Sequence, residues 1–171
     1  EPEQRNTAPC ILLASLKIKK INSNARIVVT PSDHLILYEE LFTEDINLAL
    51  KATDEKNLIT FGIQPDHPAT GFGYIAVDKV SDARFLPVLE FAEKPDIVTA
   101  KKFIAAENYF WNSGIFVWSV QAVLSGFKSH APNLYALFNQ GFDQLNTADE
   151  GSFIAKNYSL AEKISIDYAV M

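Results

Sequence analysis

The sequence has very little cysteine: Cys10 is the one cysteine in 171 residues. A single cysteine excludes an internal disulfide, and because it stands next to Pro9 in an apolar segment, we expect it to be a small core residue. No apolar run approaches the ~20 residues needed to span a bilayer, and the start of the chain has no signal-peptide pattern. These absences predict a cytoplasmic protein without a membrane segment.

Basic residues and histidines are also scarce. The 15 Lys and Arg residues against 21 Asp and Glu give a formal net charge of -6, and no basic stripe offsets it, which argues against nucleic-acid binding. The three histidines are too widely spaced for a zinc motif. Neither a Gly-x-Ser-x-Gly motif nor a plausible Cys-His pair is present. A single phosphorylated ligand stays open, because it needs only a few local donors.

The apolar pattern predicts a single α/β domain over residues 1–171. Helices are expected at 7–20 with Thr7 as N-cap, 38–53, 96–108 with Asp96 as N-cap, and over much of 121–146 and 149–163; strands are expected at 25–30, 57–63, 74–80, 84–93 and 114–120. The β-branched strand at 25–30 is expected to be buried. Early strands alternate with helices but the middle strands do not, so a mixed, mostly parallel sheet is expected. Ligands bind outside the carboxyl ends of strands in such folds.

Asp33 follows the first strand in the segment "VVTPSDH". A carboxylate at a strand end suits Mg²⁺, which prefers oxygen ligands and keeps waters and phosphates as the others. The alternative is a Pro-Ser-Asp turn in which Asp33 caps the next helix. The pattern leaves both interpretations open.

The stretch "FAEKPDIVTAKKFIAAENYFWNSGIFVW" places polar residues at the edges of apolar elements. Lys94 precedes Pro95 and suits a phosphate, Glu93 suits sugar hydroxyls as an acceptor, and Asn112 both donates and accepts. The alternative is a surface ion pair with an Asx turn at Asn112, which contributes little energy. The earlier Gly-x-Gly of "TGFGYI" permits close backbone approach to a ligand, but the pattern alone favours a simple loop into a strand.

Six motifs together carry a family resemblance. In order along the chain they are "EPEQRNTAP", "VVTPSDHLI", "FGIQPDHPATGFGYI", "FAEKPD", "YFWNSGIFVW" and "SIDYAVM". They resemble the nucleotidyltransferase domain of mannose-1-phosphate guanylyltransferases over the whole chain. Other sugar-nucleotide pyrophosphorylases share the fold and a version of "EKP", but not "RNTAP" with "WNSG" and "SIDYAVM".

The resemblance implies a Rossmann-like nucleotidyltransferase fold and a reaction of GTP with mannose 1-phosphate that gives GDP-mannose and pyrophosphate, with Mg²⁺. It implies that Asp33 holds the metal and that Lys94 meets the sugar phosphate, as the two catalytic residues. It places Arg5, Asn6, Thr7, Pro31 and Ser32 near the nucleotide, and Gly71, Tyr74, Glu93, Lys94, Asn112 and Asp167 near the sugar phosphate.

Three departures from the family pattern qualify the resemblance. Ala69 stands where the usual loop has glutamate, and the family's phosphate-cradling Gly-rich loop and its later Trp-x-Asp-x-Gly motif are absent. We therefore expect this chain to be a central piece, incomplete at the N-terminal side of the fold, that is not catalytically competent alone. The alternatives are a nucleotidyltransferase for another hexose 1-phosphate and a non-catalytic sugar-phosphate-binding module. A homodimer and a fused isomerase domain in the parent protein stay open.

Overall fold

The computed structural model describes residues 1–78 and 83–171. Its elements in order are α1 (Thr7–Ile21), β1 (Arg26–Val29), α2 (Glu39–Ala52), β2 (Ile59–Ile63), β3 (Gly73–Val77), β4 (Val88–Glu93), α3 (Ile97–Ala106), β5 (Tyr109–Ser119), α4 (Val120–His130), α5 (Pro132–Asn139), α6 (Glu150–Asn157) and α7 (Ile166–Ala169), with 3-10 turns at Phe142–Gln144 and Tyr158–Leu160. The last two residues of the strand expected at 74–80 lie outside the described ranges.

The described strands form a five-stranded sheet in the order β1-β5-β3-β4, with β2 also paired to β5. β3 runs antiparallel to both β4 and β5. The α/β class is confirmed, but the expectation of a mostly parallel sheet is wrong. Parallel neighbours need a crossover connection, usually a helix. β3 and β4 are consecutive, with no helix among the described residues between them, and they pair as antiparallel strands.

The chain divides into two compact units. The first, here called the helical unit, comprises Glu1–Val28, Asp33–Ile59 and Phe116–Met171. In it α1 packs against α4, α5 and α7, and the side chains buried there include Leu12, Leu16, Val123, Phe127 and Phe138. Within the described ranges, no helix is both long and apolar enough to cross a membrane. That the whole chain is one domain stays a prediction.

Three local expectations in the helical unit are wrong. Cys10 is exposed, because α1 buries Ile11, Leu12 and Leu16 and Cys10 lies off that face. The N-cap of α1 is Asn6, whose side chain accepts from Thr7 N. β1 has an alternating exposed and half-buried pattern, so its β-branched residues do not make it a buried strand. It is the terminal strand in the sheet order, where one side has no strand partner among the described residues.

The second unit, here called the sheet unit, comprises Val29–Ser32 and Thr60–Ile115. The expected N-cap of α3 is confirmed, since Asp96 Oδ1 accepts from Thr99 N at 2.7 Å. The α3 residue Phe103 stacks on Tyr109 with ring centroids 4.0 Å apart, and its ring lies 5.3 Å from that of Tyr74. Aromatic contacts of this kind hold α3 against the starts of β3 and β5.

Glu150 in the helical unit is expected to make the stability of the protein depend on pH in the acidic range. Its carboxylate accepts from Lys17 Nζ and from Asn146 N. These hydrogen bonds, with the Lys17 contact first, lower the pKa of Glu150 below its ordinary value of 4.5. A depressed folded-state pKa means that the stabilisation is complete above pH ~4.5 and is lost as pH falls through the folded-state value. We expect Glu150→Gln to lower the free energy of unfolding at pH 7 by about 0.5–1 kcal/mol, since the pair is partly exposed.

Urea unfolding of the wild type and Glu150→Gln between pH 3 and pH 7 checks this expectation. The difference in the free energy of unfolding between the two proteins should disappear as pH falls below about 4.5. Glu162→Gln, a change at an exposed residue outside any helix or strand, is the matched control. A gap that stays constant with pH would contradict the role of the Glu150 charge.

Candidate functional site

Three adjacent strands of the sheet unit place Glu93, Gly73 and Asn112 in one row. Gly73 on β3 pairs with Glu93 on β4. On the other side of β3, Tyr74 pairs with Trp111, and this register sets Gly73 opposite Asn112 on β5. Directly opposed residues of antiparallel strands have side chains on the same face of the sheet. Two polar side chains therefore flank a position that has no side chain.

No larger residue would fit at position 73 without displacing the neighbouring Glu93 side chain. A β-carbon built there would stand 2.6 Å from Glu93 Oε2 and 3.6 Å from Asn112 Cβ. The Glu93 carboxylate thus lies directly against the β3 backbone. The row has the Glu93 carboxylate over the Gly73 backbone and the Asn112 amide on the next strand, and it spans roughly two strand spacings, or about 10 Å. A small hydroxylated ligand has the size and chemistry to lie across it.

The Asn112 carboxamide is held by two donors within the sheet unit. Its Oδ1 lies 3.1 Å from Thr60 Oγ1 and accepts from Gly114 N at 3.2 Å. The second bond is the Asx contact expected from the sequence, and Gly114 adopts φ +69 beside it. A carbonyl oxygen has two lone pairs, and both have donors here. The Asn112 Oδ1 is therefore engaged within the sheet unit rather than offered to a ligand as an acceptor.

Lys94 leaves β4 in an unusual conformation. Its φ is +47, although a residue before proline is normally driven to an extended, negative φ. Its backbone N donates to Phe72 O at 3.2 Å. Holding a non-glycine residue in the left-handed region costs on the order of 1–3 kcal/mol, more than the about 0–1 kcal/mol of a surface ion pair.

The Lys94 side chain does pair with its neighbour, as the simpler interpretation expected. Lys94 Nζ lies 3.6 Å from Glu93 Oε1, and the lysine side chain is 65% exposed. Because so exposed a pair is too weak to account for the backbone strain, the conformation itself points to function. It sets an accessible ammonium group at the Glu93 end of the row.

The loop before β3 is tied down by aromatic residues. Tyr74 is fully buried, and its hydroxyl donates to Ala69 O at 2.9 Å. Because this bond uses the backbone of Ala69, it does not depend on the glutamate that the family has there. The rings of Phe72 and Trp111 meet edge-to-face at 5.0 Å. Gly71 lies in the anchored loop with open space around it.

Pro31 lies in the same unit. Its Cγ is 3.5 Å from where a β-carbon at Gly114 would be, and Gly114 itself bonds Asn112. Ser32 follows and is exposed. Pro31, which the resemblance assigns to the nucleotide, therefore lies close to Gly114, the glycine that bonds Asn112.

The helical unit brings the first and last motifs together. Thr7 Oγ1 accepts from Ile166 N at 2.9 Å, and Ala8 N donates to Ile164 O at 3.1 Å. Asp167 occupies the first turn of α7, directly after Ile166. The start of α1 and the "SIDYAVM" segment thus support one another.

Arg5 and Asn6 are already engaged at the start of α1. Both Nε and Nη2 of Arg5 donate to Glu3 Oε2, at 3.2 and 2.8 Å. Asn6 has φ +66 and caps α1. Asn6 therefore has a structural task in addition to any contact with a nucleotide.

Asp33 is exposed on the segment after β1. It does not cap α2, whose N-cap is Tyr38 with no side-chain bond, so the expected cap is wrong and only the turn role of that alternative stays open. Within the described residues Asp33 makes no hydrogen bond or ion pair, and no group of three or more His, Cys, Asp or Glu could hold a metal. A lone carboxylate with both oxygens accessible fits Mg²⁺, whose other ligands are commonly waters and phosphates.

The sheet unit contains most of the residues assigned to the sugar phosphate: Gly71, Tyr74, Glu93, Lys94 and Asn112. Glu93, Lys94 and Asn112 lie at the row, whereas Tyr74 is fully buried on the opposite face of β3. Sequence reasoning missed Thr60, which was treated only as part of a strand. The available signal was a hydroxyl residue within the otherwise apolar run "NLITFGI". The described contacts bring Asp33 to none of the other predicted site residues.

The chain is similar in sequence to known proteins over its whole length. The chain is 37% identical over its whole length to a mannose-1-phosphate guanylyltransferase of Escherichia coli and spans 38% of that protein. It is 34% identical over its whole length to the xanthan biosynthesis protein XanB of Xanthomonas campestris and spans 36% of it. The chain thus has little more than a third of the length of these relatives.

Two solved structures share the fold. One, described as a mannose-1-phosphate geranyltransferase from Thermus thermophilus, superposes with a TM-score of 0.88 at 29% identity, over 100% of this chain and 48% of that one. The other, described as a mannose-6-phosphate isomerase from Helicobacter pylori, gives 0.76 at 31% identity, over 99% and 65%. The family model for nucleotidyl transferases matches residues 1–157. The motif resemblance is confirmed at this level, and the chain belongs to the nucleotidyl transferase family.

Proposed function

We propose that the full-length protein transfers GMP from GTP to mannose 1-phosphate, giving GDP-mannose and pyrophosphate. The observation that carries the proposal is the row of Glu93, Gly73 and Asn112 with Lys94 at its end. Relatives named as mannose-1-phosphate guanylyltransferases support the choice of substrates. The lone cysteine, typical of reducing compartments, supports a cytoplasmic location.

The row supplies complementary groups for a sugar. Glu93 accepts hydrogen bonds from ring hydroxyls, and the Asn112 amide donates to them. Gly73 lets the Glu93 carboxylate lie against β3, and Gly71 offers backbone groups from a loop that Tyr74 anchors. A pocket that hydrogen-bonds particular hydroxyls discriminates strongly between sugars, since a wrong epimer leaves buried polar groups unpaired.

Lys94 is assigned to the phosphate of mannose 1-phosphate. The strained backbone fixes where its side chain begins, and the exposed ammonium group is a compact point charge suited to phosphate. The Glu93 carboxylate 3.6 Å away keeps Lys94 near the sugar position before the ligand binds. Substrate phosphate then replaces a weak ion pair with a stronger charge-assisted contact.

The reaction needs no nucleophile from the protein. A phosphate oxygen of mannose 1-phosphate attacks the α-phosphorus of GTP, the new P–O bond forms, and the bond to the bridging oxygen of pyrophosphate breaks. Catalysis then rests on orientation and on neutralising charge. Mg²⁺ bound at Asp33 would supply charge neutralisation on the GTP phosphates. Arg5, Asn6, Thr7, Pro31 and Ser32 are assigned to the nucleotide side, with Asp167 nearby in the α7 segment.

Pyrophosphate release by the full-length protein tests the proposal. Release is expected to require GTP, Mg²⁺ and mannose 1-phosphate together, while the 171-residue chain alone is expected to be inactive. Equal turnover with glucose 1-phosphate would instead support another hexose specificity. Binding of mannose 1-phosphate without any pyrophosphate release would support a non-catalytic binding module.

A further inference from the structure

Thr60 is a hydroxyl residue in the apolar strand β2, and its side chain is directed at the site. Its Oγ1 lies 3.1 Å from Asn112 Oδ1 and 3.2 Å from Ile115 O. A threonine hydroxyl has one proton to donate. The two oxygens therefore compete for it at nearly equal distances, and one of them belongs to a residue of the sugar row.

We propose that Thr60 is a positioning residue that holds the Asn112 amide in place through its hydrogen bond to Oδ1. A planar carboxamide has its oxygen and nitrogen on different sides of Cγ. With Oδ1 held between Thr60 Oγ1 and Gly114 N, the Nδ2 end is fixed on the side away from Thr60. The inference rests on the proposed function, because it takes the Asn112 amide as the donor to a sugar hydroxyl.

The orientation matters because the two amide orientations offer opposite chemistry. The observed one presents N–H donors to a ligand, whereas the flipped one would present an acceptor. Flipping would also place the NH₂ group against the Gly114 N–H and lose that hydrogen bond. Gly114 therefore opposes the flip even without Thr60. Thr60 adds a second bond to the same oxygen and ties the row to a fourth strand, β2. Loss of the Thr60 hydrogen bond should make the Asn112 amide more mobile without removing it from the site.

A purely structural role for Thr60 is the competing account, since the bond to Ile115 O would serve the strand alone. In that case Thr60→Val would affect stability and not the use of one substrate. Thr60→Ser keeps the proton donor in both accounts. The two accounts are distinguished by whether the effects of substituting Thr60 and Asn112 are coupled.

The test uses the full-length protein with steady-state kinetics for both substrates. Thr60→Val is expected to raise KM for mannose 1-phosphate about 3- to 10-fold, the value of one neutral hydrogen bond. The KM for GTP and kcat should change less than about twofold. Thr60→Ser should stay near wild type, and in an Asn112→Ala background Thr60→Val should add no further effect. Thr60→Ala provides a second variant if the valine protein does not fold.

Other results would overturn the inference. An equal rise in KM for mannose 1-phosphate with and without Asn112, or no recovery in Thr60→Ser, would show that Thr60 does not act through the amide. An Asn112→Ala protein with unchanged KM for mannose 1-phosphate would remove the basis of the inference. Absence of any turnover by the wild type with mannose 1-phosphate would instead refute the proposed function itself.

Discussion

Alanine in place of Asp33 in the full-length protein is expected to lower kcat for GDP-mannose formation by about 100-fold or more at saturating Mg²⁺. A metal ion at transferring phosphates contributes several kcal/mol of transition-state stabilisation, and each 1.36 kcal/mol is a factor of ten in rate. Asp33 is exposed, caps no helix and makes no hydrogen bond or ion pair within the described residues. Its replacement should therefore leave the fold intact.

The Asp33→Asn variant separates the metal role from a turn role. Asparagine makes the same local turn contacts as aspartate but has no charge to hold Mg²⁺. We expect it to lose nearly as much activity as Asp33→Ala, and the residual activity to need more Mg²⁺. Glu44→Ala, at an exposed position of α2, is the control for removing one carboxylate. Wild-type turnover by Asp33→Asn would show that Asp33 is a turn residue.

Removal of the Lys94 charge is expected to raise KM for mannose 1-phosphate by about 10- to 100-fold. A hydrogen bond to a charged group is worth roughly 1.5–3 kcal/mol, and 1.4 kcal/mol corresponds to a tenfold change in affinity. The KM for GTP should change little, because Lys94 is assigned to the sugar phosphate. Steady-state kinetics with each substrate varied in turn measures both values.

Because Lys94 has a positive φ, several substitutions are needed to separate the effect of its charge from the effect of its backbone conformation. Glycine adopts a positive φ without strain, and asparagine tolerates it better than alanine does. If the charge is what matters, Lys94→Ala, Lys94→Asn and Lys94→Gly should all lose sugar-phosphate affinity to a similar degree. Lys101→Ala, at an exposed position of α3, is the control. Preserved affinity in the glycine variant, or a loss confined to GTP, would refute the assignment.

Helices were predictable because each carries its signal locally. The bounds expected for α1, α2 and α3 agree with the structure to within about two residues, and the Asp96 cap was evident from the sequence. α4 ends at His130, shortly before Pro132, which lacks the N–H that a continuing helix needs. Periodicity and capping act over one or two turns, so a local pattern contains what decides them.

The sheet was less predictable because pairing joins distant segments. β5 begins at Tyr109, five residues before the expected strand, so Asn112 lies within a strand and not in a preceding turn. The exposed face of β1 and the antiparallel pairs of β3 contradicted the sequence-based expectation. Apolar character shows that a segment can be a strand, but not which neighbour it pairs with or in which direction.

Taken alone, the sequence determined the residue types of the site, the order of its motifs and the family to which they belong. Only the tertiary structure decided that Glu93, Gly73 and Asn112 share a row, that Thr60 bonds the Asn112 amide, and that Lys94 adopts a positive φ. The physical reason is that strand register sets side-chain neighbours between residues tens of positions apart. Backbone strain likewise persists only where the surrounding structure holds it in place.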